Sequence, residues 1–229
     1  MIETPMDVLH QLQAIRTQKQ IQAFRDSVQS YATGLGYKTS VEKGSWGCRN
    51  IIIGDPETAS YLIASCIQSS SGLVTLLETA ASMPHNLRDR VCFLLYDGSA
   101  CGIPLHRRNH VHALALQTVL DLDSVGVGDS IIIIPNAGLK ADEERLQQLI
   151  DLERRFGTKR IQVRDRGITL FPFDGLSFPR GAVVCAVRKN KLGYLCARIP
   201  TLRDKLPDYT NVNILRACLI TYISSGAVE

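Results

Sequence analysis

The stretch VCFLLYDGSACG, residues 91–102, decides how the chain is read. Val91 to Tyr96 is an unbroken apolar run of strand length, the pattern of a β-strand covered on both faces, so a central strand is expected there. Ahead of it, GLVTLLETAASM (Gly72 to Met83) has helical spacing and stops at Pro84. Further back, Tyr37 to Val41, Asn50 to Ile53 and Tyr61 to Cys66 read as strands, the last two joined by the turn sequence Gly54-Asp55-Pro56. Val8, Leu9, Leu12 and Ile15, then Ile21, Phe24, Val28, Tyr31 and Leu35, recur at three- and four-residue spacings and predict an amphipathic N-terminal helix or helix pair, with Gly34 and Gly36 as stops. Beyond residue 102 the alternation continues. A helix is expected over Pro104–Leu116, strands over Thr118–Leu122 and Ser130–Pro135, and a polar-faced helix over Ala141–Phe156. Strands follow over Ala182–Val187 and Tyr194–Ala197, and a helix over Val212–Ser224 closes the chain with Ile214, Leu215, Cys218, Leu219 and Tyr222 inward. The order is α/β.

With 229 residues and 45% hydrophobic content the chain can bury a sizeable core, and residues 1–229 are read as one domain. No run approaches the roughly 18 apolar residues a spanning helix needs, which excludes a helical membrane protein. The opening MIETPMDVLHQLQAIRTQKQ has acidic residues early and no basic-then-apolar leader, so a cytoplasmic location is expected. The seven cysteines (48, 66, 92, 101, 185, 196 and 218) contain no C-x-x-C pair, and several lie in apolar runs, which fits reduced, buried thiols rather than a disulfide frame. The net charge is +4, but Asp151 to Lys205 holds thirteen Lys or Arg against five Asp or Glu. That segment could attract an anion or serve as a solvated face. No ribonucleoprotein motif, finger or recognition helix accompanies it, so nucleic-acid binding through residues 154–205 is kept only as an alternative.

Several segments, in order, resemble the zinc aminopeptidase family, which includes the bacterial leucyl aminopeptidases, aminopeptidases S and Y and the related glutaminyl cyclases, and its small cytosolic bacterial members in particular. Arg49 to Gln68 (RNIIIGDPETASYLIASCIQ) is similar to the family's strand, Gly-Asp-Pro turn and strand ending Ala-His-x-Asp. Ser71 to Glu78 (SGLVTLLE) resembles the family's Asp-Asn-x-Ser-Gly helix start, and residues 91–102 its strand followed by Asp-x-Glu-Glu-x-Gly. Leu120 to Asp129 (LDLDSVGVGD) resembles a strand carrying Asp before a Gly-x-Gly-Asp turn. Ile199 to Asp204 (IPTLRD), followed by Tyr209 to Leu215, stands against His-Thr-x-x-Asp and the final helix. The resemblance runs from about residue 20 to the end. It implies a three-layer α/β/α sandwich with a mixed, mostly parallel central sheet.

It also implies a zinc pair held by about five N or O ligands, with a carboxylate general base beside the metal-bound water. Carried over position by position, the first His ligand falls on Ser65, and the Asp that orients it falls on Ile67. The bridging Asp falls near Gln68, and the paired Glu residues, base then ligand, fall on Ser99 and Ala100. The later Asp is retained as Asp123, and the final His falls on Pro200. One ligand of five survives. Neither Ser99 nor Ala100 can take a proton from water near neutral pH. No cofactor is expected, zinc entering only if the ligands lie elsewhere, and the purified protein is expected to hold well under one equivalent. Such a chain would serve binding or assembly with a protein or small-molecule partner, as a monomer or homo-oligomer. The alternative is an active metal-dependent aminopeptidase with shifted ligands. Asp123 also has a structural reading, satisfying the turn that follows it.

Three histidines, His106, His110 and His112, cluster in LHRRNHVHAL. His106 and His110 stand four apart, a spacing that puts both on one helix face as in some metal sites, although no Glu base lies between them. A solvated or interface face is the default reading, and a transition-metal site new to the scaffold the alternative. Cys66 and Cys101 fall near the same strand ends. With His106 or His110 as base, either could act as a nucleophile, while burial as a small core residue is the plainer reading.

Overall fold

A computed structural model describes residues 4, 5, 7, 11, 18–98, 100–126, 128–157, 160–164, 174–190, 193–196 and 209–226, with backbone only for Trp46, Asp174, 188–190 and 193–196. Helix α1 (Gln18–Gly34) leads into β1 (Thr39–Lys43), β2 (Arg49–Ile53) and β3 (Tyr61–Cys66). Then come α2 (Ser70–Ser82), β4 (Val91–Tyr96), α3 (Gly102–Asn109), α4 (Val111–Leu116), β5 (Thr118–Leu122) and β6 (Ser130–Pro135). The chain continues through α5 (Ala137–Lys140), α6 (Glu143–Phe156), β7 (Ile161–Val163), β8 (Gly181–Asn190), β9 (Gly193–Cys196) and α7 (Tyr209–Ser225).

The sheet order is β1-β2-β4-β3-β5-β8-β6-β7, with β9 also paired to β8. β4, β3, β5 and β8 run parallel to one another, and antiparallel pairings join β2 to β4 and β6 to β8, so the sheet is mixed with a parallel centre. The ten-residue β8 pairs with β5 through Gly181–Val184 and with β9 through Val187–Asn190, so β9 continues the row that β5 leaves. The helices divide between the two faces of this sheet, as strand alternation dictates. Ile51, Ile53, Ile63, Phe93, Leu95, Leu120 and Leu122 meet Phe24 and Val28 of α1, Leu73 and Leu76 of α2, Leu149 of α6 and Leu215 of α7. Ile52, Leu62, Ala64, Cys92, Leu94 and Val119 turn the other way, onto Ile103 of α3, Leu114 of α4 and Phe178. Each such fully buried side chain contributes about 2 kcal/mol. β4 is buried at all six positions, as its apolar run requires.

Several boundaries differ from the sequence reading, and three of them have a plain physical cause. The first strand begins at Thr39, because Tyr37 is drawn into the core, where its hydroxyl donates to the Ala80 carbonyl at 3.0 Å. The helix expected over Pro104–Leu116 is two helices. His110 between them leaves helical geometry (φ −127°, ψ 39°), although its N–H still reaches the His106 carbonyl at 3.0 Å. The long polar helix starts at Glu143 rather than Ala141, because Asp142 caps it by accepting from the Arg145 N–H at 3.2 Å. The N-terminal apolar positions Val8, Leu9, Leu12 and Ile15, and the strand end at Ala197, lie outside the described residues.

Candidate functional site

Parallel strands gather their C-terminal ends on one edge of the layer, the usual place for a site in an α/β protein. Here those ends are Cys66 of β3, Tyr96 of β4 and Leu122 of β5, joined by the loops that carry most of the candidate positions. Ser65 is fully buried, and its hydroxyl donates to the Leu122 carbonyl at 3.3 Å. Ile67 is buried in the main core, whereas Gln68 and Ala100 are exposed. Asp123 is half-buried, and its Oδ1 accepts from the Ser124 hydroxyl at 3.0 Å, where Ser124 takes a left-handed φ of 56°. Ser99 and Pro200 lie outside the described residues.

The start of α2 sits directly on these ends. A Cβ added to Gly72 would stand 2.4 Å from Ser65 Oγ and 2.5 Å from the Leu122 carbonyl oxygen. Only glycine allows that approach. The helix therefore fills the space between the ends of β3 and β5 with backbone.

A different constellation forms under α3. β1 pairs with β2 so that Glu42 lies opposite Asn50, and both side chains are buried on the face that α3 covers. Gly102 lets the helix start close in, since a Cβ there would fall 2.7 Å from Asn50 Oδ1 and 2.9 Å from the Tyr96 Cβ. Asn50 then joins three segments. Its Oδ1 accepts from the Asp97 N–H (3.1 Å), and its Nδ2 donates to the Gly102 carbonyl (2.8 Å) and to Glu42 Oε2 (2.7 Å). Glu42 Oε2 also faces His106 Nδ1 at 3.1 Å, while its Oε1 accepts from Asn109 Nδ2 at 3.0 Å and faces His110 Nε2 at 3.0 Å. The other His110 nitrogen, Nδ1, lies 2.5 Å from Oε1 of Glu57. The two imidazole rings lie with centroids 4.6 Å apart, tilted by 42°.

Burial raises the Glu42 carboxyl, but the hydrogen bond and charge of His106, with the bonds from Asn50 and Asn109, outweigh it and hold the group at about 2. It is a carboxylate at any physiological pH. Glu42, His106 and His110 present ligand atoms all within 4.8 Å of one another, the only such metal-competent group among the described residues. His112 is exposed and takes no part in it. The His106–His110 spacing is readable from sequence. Glu42 and Glu57 are not, because only the β1–β2 register and the β2–β3 loop bring them to the histidines.

Among the described residues, neither His106 nor His110 is placed as a base for the candidate thiol nucleophiles. Both His110 nitrogens face carboxylates, His106 Nδ1 faces Glu42, and its Nε2 is buried without a partner among the described residues. The Cys101 thiol donates to the Asp97 carbonyl at 2.7 Å. Burial, together with hydrogen bonding to Cys101, pushes the neighbouring Cys48 thiol up to about 12. Cys48, Cys66, Cys92, Cys101, Cys185 and Cys218 form no disulfide among the described residues. Across the outer side of α3 and α4 runs a groove of about 360 Å³ lined by Pro104, Arg107, Arg108, Val111, Leu114 and Pro179.

This mixed sheet with helices on both faces is the fold of the zinc-dependent exopeptidases, aminopeptidases and glutaminyl cyclases. The chain superposes on the glutaminyl cyclase of Porphyromonas gingivalis with a TM-score of 0.67 at 16% identity, covering 97% of this chain and 96% of that one. It matches the LapA aminopeptidase of Legionella pneumophila with a TM-score of 0.69 at 13% identity, covering 99% of this chain and 72% of that one. A Zn-dependent exopeptidase from Parabacteroides distasonis gives 0.65 at 13% identity, with 96% of each chain covered. No protein-family profile matches the chain, and neither does any curated protein sequence. Among the described residues no helix is long and apolar enough to cross a membrane.

Proposed function

We propose that the chain is a zinc-aminopeptidase-like protein without the two-zinc centre and without peptidase activity, acting in binding or assembly with a protein or small-molecule partner. The observation that carries this reading is the closure of the strand ends. A co-catalytic pair needs several N or O donors around an open cup. Ser65 instead spends its hydroxyl on the Leu122 carbonyl, Ile67 is part of the core, and the Gly72 backbone occupies the space between them. The residues present do not fit a zinc pair, because Asp123 is the one carboxylate among the seven carried-over positions. One carboxylate cannot hold zinc at useful affinity, so these strand ends support no hydrolytic step. What favours binding over chemistry is the outer groove, where Arg107 and Arg108 stand over apolar Val111 and Leu114.

The test combines activity with metal dependence at Asp123. Purified protein supplied with zinc is expected to leave aminoacyl-nitroanilides uncleaved, and D123A to change neither that result nor the metal content. Two equivalents of zinc with turnover, both lost in D123A, would overturn the proposal.

A further inference from the structure

We infer that Glu42, His106 and His110 form a mononuclear site for a divalent transition metal ion, separate from the strand ends and serving to pin the edge strand β1 to the α3–α4 junction. The donor set is two imidazoles and one carboxylate, which suits zinc, cobalt or nickel and disfavours calcium or magnesium. In a tetrahedral zinc site, ligand atoms bonded at about 2.0–2.1 Å stand about 3.3 Å apart. The two histidine–glutamate separations, 3.1 Å from His106 Nδ1 to Oε2 and 3.0 Å from His110 Nε2 to Oε1, are close to that edge but run to different oxygens, so the ion would sit against both oxygens of Glu42. Ligand atoms of the three residues lie within 4.8 Å of one another. His110, which stands outside both helices and is the least buried of the three at 16% exposure, is the ligand with the most room to adjust to an ion.

Glu42 and His110 have the outer contacts such a site uses. Glu57 beside His110 Nδ1 can hold the N–H on that nitrogen, which leaves the Nε2 lone pair for an ion. Asn50 and Asn109 each donate to a different oxygen of Glu42 and hold the carboxylate in place. On His106, Nε2 is buried with no partner among the described residues, so no contact on that side opposes the tautomer with the proton there and the lone pair on Nδ1. An ion bound there neutralises a buried carboxylate. The three ligands come from β1, α3 and the residue linking α3 to α4. An ion shared among them ties an edge strand to the helices above it.

The experiment uses the full chain, stripped with a chelator and titrated with cobalt(II). One equivalent is expected to bind and to show the intense visible bands of four-coordinate cobalt, displaced by zinc. H110A is expected to lose the bands and at least 100-fold in affinity, and E57Q, at an exposed side chain, to weaken cobalt by 10- to 100-fold while circular dichroism stays unchanged. D123A is expected to bind as the parent does, which separates this site from any centre at the strand ends. A stripped protein that takes up no cobalt, or an affinity that E57Q leaves unchanged, overturns the assignment. Cobalt uptake that depends on Asp123 and not on His110 overturns both this site and the reading of the closed strand ends.

Discussion

The ends of β3 and β5 and the underside of α3 lie on the same fold and have opposite chemistry. At the strand ends the positions inherited from the resemblance hold a serine bonded to backbone, a core isoleucine and one half-buried aspartate, under a helix start packed at glycine distance. Under α3, two histidines and a buried glutamate converge, with Asn50 and Asn109 bonded to the glutamate and Glu57 beside His110. A scaffold therefore does not fix where metal chemistry sits. Convergence of donor atoms does, and among the described residues the group that could hold an ion lies on a sheet face.

The contrast is most vulnerable at Gly72. If the strand ends are closed by direct backbone packing, G72A forces a Cβ against Ser65 and Leu122 and destabilises the protein by about 2–3 kcal/mol, read as a lower urea midpoint. Gly34 has open space around its missing Cβ, and G34A is the control, with a change near zero. An open cup at the strand ends would make the two variants alike.

A similar loss is expected at Glu42. E42A removes the acceptor for Asn50, Asn109 and both histidines, and should cost about 3 kcal/mol in metal-free protein at pH 7. The pH dependence has a definite sign. The folded carboxyl is held at about 2 against an ordinary 4.5, so its stabilisation is complete above pH 4.5 and drains away as the pH falls through 2. E42Q should therefore flatten the acid limb of a stability-against-pH curve between those values. An unchanged limb would mean that the His106, Asn50 and Asn109 contacts do not hold the carboxylate.

The smallest effects belong to the inherited positions. S65A gives up one hydroxyl bond to the Leu122 carbonyl and is expected to cost about 1 kcal/mol by thermal melting, with metal content unchanged. D123A, which frees Ser124, should fall within about 1 kcal/mol. A loss of bound metal in either variant would shift the site back to the strand ends.

Much of the layer order is legible in the sequence because the signals are local. Tyr61–Cys66, Val91–Tyr96, Thr118–Leu122 and Ser130–Pro135 are runs rich in β-branched and apolar residues, bounded by turns, and they are strands over those same residues. The three-residue β7 is not legible, since Ile161–Val163 is too short to show a period. The break at His110 is hidden for a different reason. LHRRNHVHAL has no proline or glycine at that point, and the departure from helical geometry coincides with a ring reaching Glu42 and Glu57. The same non-local pairing hides the candidate metal group. His106 and His110 stand out by their spacing, but Glu42 is 64 residues away from His106 and becomes a neighbour only through sheet register.

Anomalous scattering from crystals grown with zinc, collected at the zinc edge, reports on the strand ends and the underside of α3 at once. A single peak bonded to Glu42, His106 and His110 is expected, with nothing between the ends of β3 and β5. Two peaks about 3.5–4 Å apart beside Asp123, the spacing of a co-catalytic pair, would contradict it.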